Sequence, residues 1–161
     1  MSARYTKEWT VTVRRKDVYF DVDLLSLYYA ETAGGENPVR DNRVATETAS
    51  AGNRRIVKRK CDHRASDIRR VLARFLAPGE ASSADDALED ADWTFRLAVS
   101  TEAEDATLAT LADLAHEYIV TGGLLDFFTA IGVNGNRESL KERADAALED
   151  IRRIIHHRPM P

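Results

Sequence analysis

Two short stretches of this chain alternate apolar and polar side chains, and both begin with Trp-Thr: "EWTVTV" at 8–13 and "DWTFRL" at 92–97. Trp9, Val11 and Val13 fall on one side of the first, and Trp93, Phe95, Leu97 and Val99 on one side of the second. A period of two is that of a strand with one buried face. Most other apolar residues recur at three- and four-residue steps, the period of a helix. Strand backbone groups must find partners, and two half-buried strands among helices satisfy this most simply by pairing beneath them. The predicted fold class is mainly α, a helical bundle with two short β-strands that pair.

The rest of the chain fills in around them. After the first strand, a turn at Lys16–Asp17 and a continued extended run through Val18, Phe20 and Val22 are expected. A short helix follows from about Asp23 to Ala33, stopped by Gly34 and Gly35. Residues 34–52 read mostly as loop, with "NRVATETASA" also compatible with a helix. Val57, Cys61, Ala65, Ile68, Leu72 and Phe75 then form one stripe on a basic helix of about 53–77, ended by Pro78 and Gly79. The second strand follows an acidic segment. Thr101 and Glu104 have the spacing of a capping box. From there Leu108, Leu111, Ala115, Tyr118, Gly122 and Leu125 line one side of a helix to about Ile131. The last helix, about 137–157, carries Leu140, Ala144, Ala147, Leu148, Ile151, Ile154 and Ile155.

The Trp-Thr pairs stand 84 residues apart, and the same offset places Asp21, Leu24 and Leu27 on Asp105, Leu108 and Leu111. "DIRR" occurs at 67–70 and at 150–153. One domain, 1–161, is predicted. Its halves, 1–77 and 90–158, are either a strand-helix-helix quasi-repeat joined by the acidic loop 78–92 or amphipathic helices alike by chance.

Glycine costs a helix interior about 1 kcal/mol relative to alanine, yet Gly122 and Gly123 sit together within "HEYIVTGGLLDFF". Tight packing or a kink is the structural reading; a hinge that re-angles the following segment is the functional one. The pair lacks the spaced glycines and lysine of a phosphate loop.

No catalytic constellation emerges. His116–Glu117 lacks the second histidine four residues on that a zinc helix needs, since Val120 stands there. His63, His156 and His157 give no i, i+4 pair. Cys61, the only cysteine, lies on an apolar stripe and reads as a small buried hydrophobe. No catalytic residue, metal or cofactor is expected, and the chain reads as a non-enzyme. It has no apolar signal core and no run long enough to span a membrane, so a bacterial cytoplasm is the expected place of synthesis.

Charge supplies the functional signal. Residues 1–77 hold 16 Lys/Arg against 10 Asp/Glu, and residues 78–161 hold 7 against 17, so a half of +6 meets a half of −10. The basic run includes Arg54, Arg55, Lys58, Arg59, Lys60 and Arg64; the acidic segment includes Asp85, Asp86, Glu89 and Asp90. A solvated face, an acidic protein partner and nucleic-acid phosphates all remain open for the basic helix. Opposite charges on one molecule favour head-to-tail contacts between copies, which close into rings when the rotation allows. Trp9, Tyr28, Tyr29, Phe127 and Phe128 are candidate aromatic anchors for neighbours.

The order of alternating strand, short helix, polar gap, basic helix, acidic gap, second strand, "LADLAHEYIVTGGLLDFFTAIG" and final amphipathic helix resembles small proteins of bacteriophage and prophage structural modules, particularly in Bacteroidales. It is similar in style to the helical head–tail connector, or neck, proteins of tailed phages. The resemblance implies a virion structural subunit in a ring of its own copies, beside portal and tail proteins, with non-specific DNA contact as a further option. A tail-completion or contractile-injection component, and a nucleic-acid-associated helical protein using residues 54–74, are the alternatives.

Overall fold

The two Trp-Thr stretches do pair. In the computed structural model, which describes residues 6–32, 51–79, 91–132 and 137–156, β1 (Thr6–Val13) and β2 (Trp93–Ser100) form an antiparallel ladder. The register sets Trp9 opposite Leu97, Val11 opposite Phe95 and Val13 opposite Trp93. All six side chains are buried on one face, so each cross-strand pair adds apolar contact to the same core. The register also maps onto itself under the 84-residue offset of the tryptophans: Trp9–Leu97 becomes Trp93–Val13, and Val11–Phe95 maps onto itself. The sheet therefore has a local two-fold pattern centred on Val11 and Phe95.

The helices are α1 (Arg15–Thr32), α2 (Ala51–Val71), α3 (Asp105–Ile131) and α4 (Arg137–His156), with a 3-10 turn at Ala73–Phe75 after α2. Strand, helix, helix thus occurs twice among the described elements. Both "DIRR" sequences lie on the second described helix of their half. Each buries its isoleucine, Ile68 or Ile151, and each pairs its aspartate with an arginine three residues on. The proposed equivalence of Asp21, Leu24 and Leu27 with Asp105, Leu108 and Leu111 fails. Asp105 opens α3 whereas Asp21 lies inside α1, and Leu111 is buried whereas Leu27 is exposed.

Helix α3 is the axis of the molecule and packs against β1, α1, α2 and α4. Every residue from Tyr118 to Leu124 is buried. This corrects the one-sided stripe expected for it: a helix covered all round is apolar all round. It begins at Asp105 rather than at Thr101, and its N-cap, Glu104, makes no side-chain cap bond. Before it the chain makes a turn in which the Ala103 N–H donates to the Ser100 carbonyl, so Thr101 and Glu104 form no capping box. Gly132, with φ of 77°, closes α3 in the left-handed conformation that favours glycine.

Three other boundaries moved. The extended run expected through Val18, Phe20 and Val22 is the start of α1, which begins at Arg15. The basic helix ends at Val71, and the chain then turns so that Leu76 bridges to Leu97 and the Ala77 N–H donates to the Arg96 carbonyl. These β2 partners draw the chain out of helical geometry before Pro78. The stripe Val57, Cys61, Ala65, Ile68 and Leu72 is buried as read, and Phe75 is half-buried. The basic helix starts at Ala51, two residues before the expected 53, so Ala51 and Gly52 belong to it rather than to the loop; residues 34–50 and most of the acidic loop lie outside the described residues.

Candidate functional site

Helix α1 faces the core with an unusual set of side chains. Its buried positions are Arg15, Val18, Val22, Ser26 and Tyr29, spaced at three and four residues. Its outward face carries Phe20, Leu24, Leu27 and Tyr28, exposed by 66%, 57%, 44% and 58%. The helix therefore hides an arginine and a serine while presenting four large apolar groups to solvent. Single exposed hydrophobics are ordinary, but a contiguous face of them marks an interaction surface.

Beside this face lies a groove of about 330 Å³ between α1, α3 and α4. Leu24, Leu25, Tyr28 and Val120 supply its apolar lining. Two polar pairs sit at its edge. His116 Nε2 lies 2.6 Å from Asp21 Oδ2, joining α3 to α1. Arg143 reaches Glu117 Oε1 at 2.7 Å, joining α4 to α3. Burial works against the Arg143 charge, but hydrogen bonds to Tyr29 and Glu117 outweigh it and hold the guanidinium above its ordinary value. An apolar centre edged by paired polar groups has the anatomy of a protein-binding surface.

The basic residues singled out in the sequence divide into two groups. Arg54 forks onto Asp23 of α1, at 2.9 and 3.0 Å. Arg64 forks onto Asp126 at 2.7 and 2.8 Å and donates to the Tyr118 hydroxyl. The Asp126 hydrogen bond, helped by Tyr118, outweighs burial and raises the Arg64 guanidinium above its usual range. Lys58 lies over the Tyr19 ring. These three fasten α2 to the rest of the molecule. Arg55 and Arg59 are exposed, and Lys60 is half-buried. Asp85, Asp86, Glu89 and Asp90 lie outside the described residues.

The aromatic anchors need correction. Trp9, Tyr29, Phe127 and Phe128 are core residues, and of the five only Tyr28 is exposed. Phe20, Leu24 and Leu27 were missed because the alternation at Val18, Phe20 and Val22 resembles a strand. The short helix expected from about Asp23 includes Leu24 and Leu27 but starts too late to show which face they share with Phe20. Reading the segment at helical period from Arg15 would have separated the two faces. Among the described residues, no three His, Cys, Asp or Glu side chains converge where they could hold a metal, and no helix is long and apolar enough to cross a membrane.

A buried polar cluster ties the N-terminus of α1 to α2 and β2. Arg15 Nη1 lies 2.7 Å from Asp62 Oδ1, and the guanidinium stacks over Trp93 and donates to the Tyr19 hydroxyl and the Ala91 carbonyl. The Trp93 indole N–H also donates to Asp62 Oδ1, at 2.9 Å. Burial lifts the Tyr19 hydroxyl to about 12 despite Arg15. Cys61, next door and fully buried, has its thiol pushed up to about 12, mainly by burial and then by Asp62.

The folded state thus keeps the Cys61 proton above the pH at which an unfolded thiol, of ordinary value 9.0, releases it. The resulting stabilisation is fully present below about pH 9 and is lost as pH rises towards 12. Urea denaturation at pH 7.5, 9 and 10.5 should show stability falling, and Cys61→Ala should flatten part of that fall. An identical pH slope in the variant would show that the thiol does not contribute.

No family model, curated protein or solved structure matches this chain.

Proposed function

We propose that this chain is a non-enzymatic structural subunit of a phage or phage-like particle, a component of the head–tail connector, and that the outer face of α1 is where a neighbouring subunit docks. The observation that carries the docking role is the inversion of α1, with Phe20, Leu24, Leu27 and Tyr28 in solvent and Arg15 and Ser26 in the core. A helix folded this way leaves apolar area that a second surface must cover. The adjoining groove supplies the pairs His116–Asp21 and Arg143–Glu117 as a polar edge that fixes register. The connector assignment is supported by the resemblance in element order, and a face on one side of the subunit suits the heterologous contacts from which rings are built.

The test combines composition and mutation. Mass spectrometry of sedimented particles should find the chain at a low, ring-like ratio to the capsid protein. Leu24→Asp places a charge in the centre of the exposed face without touching the core. It should leave the thermal midpoint unchanged within a few degrees and lower incorporation at least tenfold. Absence from particles that contain portal and tail proteins rejects the connector role. Normal incorporation of a folded Leu24→Asp variant rejects the α1 surface.

A further inference from the structure

Removing Arg54, Lys58 and Arg64 from the basic set leaves a different pattern on α2. Arg55, Arg59, His63 and Arg70 are all exposed, with Arg74 exposed just beyond in the 3-10 turn. Their spacing of four, four, seven and four residues keeps those on α2 along one side of the helix. From Arg55 to Arg70 the row is about 22 Å long at 1.5 Å per residue. Ser66 is the residue within this row, and its hydroxyl is turned back to the Asp62 carbonyl. The acids of α2 are committed elsewhere: Asp62 to Arg15 and Trp93, Asp67 to Arg70 and Tyr118. Arg55, Arg59 and Arg74 form no ion pair with any described residue.

We infer that this row is a binding surface for the phosphate backbone of duplex nucleic acid, read without regard to sequence. Two features favour phosphates over an acidic protein. The row contains no large apolar or aromatic side chain, whereas protein interfaces are anchored by such groups, and this molecule displays them on α1 instead. The row is also straight and backed by a rigid base, because Val57, Cys61, Ala65 and Ile68 are buried directly behind it. A duplex offers one phosphate charge per about 1.7 Å of axis, so a 22 Å row of guanidinium groups meets an excess of acceptors in almost any register. Affinity then comes from counterion release, and base identity is not sensed.

The experiment measures binding of the full chain to two 20-base-pair duplexes of unrelated sequence, by fluorescence anisotropy from 25 to 200 mM salt, with poly-glutamate as a separate probe. The three arginines that pair with no described carboxylate, Arg55, Arg59 and Arg74, predict a slope of log K against log salt of about −2 to −3, the same for both duplexes. Arg55→Ala/Arg59→Ala should make that slope shallower by about two. These side chains are exposed, so the thermal midpoint should hold, and circular dichroism confirms it. Leu24→Asp should bind DNA as the unaltered chain does, which separates this surface from the α1 face. Undetectable binding at 25 mM salt, or a slope unchanged by the double substitution, overturns the inference. Poly-glutamate bound more tightly than either duplex overturns it in favour of an acidic protein partner.

Discussion

Asp62→Ala lowers the stability of the protein by about 3–5 kcal/mol, the scale for breaking a buried ion pair by removing one partner. Asp62 Oδ1 serves two groups at once, the Arg15 guanidinium and the Trp93 indole N–H. The Arg15 side chain is only 5% exposed, so removing the carboxylate takes from an interior charge the ion-pair partner that lies 2.7 Å from it. The loss reaches three elements, because Arg15 opens α1, Asp62 lies on α2 and Trp93 begins β2. The second Asp62 oxygen is buried without a hydrogen-bond partner, so the intact pair already bears a desolvation cost. Replacing both charges together, Arg15→Met with Asp62→Leu, should therefore recover most of what the single substitution loses. Urea denaturation of the two singles and the double gives the coupling directly. A loss under 1 kcal/mol for Asp62→Ala, or a double variant no better than that single, would contradict this account.

The same cluster explains where sequence reading succeeded and where it failed. The strands were legible because alternation over Trp9–Val13 and Trp93–Val99 has one physical solution, a half-buried pleated surface. The α2 stripe was legible because one of its faces is apolar and the rest are charged. Helix α1 was misread because its buried face adds Arg15 and Ser26, groups that hydrophobic periodicity assigns to solvent, to Val18, Val22 and Tyr29, while Phe20, Leu24, Leu27 and Tyr28 point outward. Tertiary partners far along the chain, Asp62 and Trp93 among them, make Arg15 an interior residue. The α3 stripe was too narrow for the opposite reason: a central helix has no polar face to contrast with, and its mid-section shows no periodicity to read. The basic residues were legible as a group but not individually. Nothing local distinguishes Arg54 and Arg64, bound to Asp23 and Asp126, from Arg55 and Arg59, which face solvent.

Gly123→Leu should cost about 3 kcal/mol or more, at or above the upper end of the range for overpacking a close contact. Gly122→Leu should cost about 1–3 kcal/mol. The order follows from what each new side chain meets. A Cβ on Gly123 would lie 2.7 Å from Cys61 Sγ, with the Cys61 backbone behind it at 3.6 Å. A Cβ on Gly122 would lie 2.7 Å from Cδ and Nε of Arg64. Arginine is long and can swing aside, giving up its fork on Asp126, whereas a cysteine on a packed helix cannot. The glycine pair is thus a contact between α2 and α3, and α3 runs through it without interruption. Tyr118, Gly122 and Asp126, four residues apart on α3, form a lane: the tyrosine and aspartate bind the Arg64 guanidinium and the glycine gives room for its stem. Cys61 offers a decisive control. Gly123→Ala alone should destabilise, because one carbon collides with sulfur. In a Cys61→Ala background the sulfur is gone, and the same substitution should become neutral or stabilising, up to the roughly 1 kcal/mol by which alanine exceeds glycine in helix propensity. Thermal denaturation of these three variants decides it. If Cys61→Ala fails to rescue Gly123→Ala, the close approach of the two helices is not what the glycine serves, and the hinge reading regains its place.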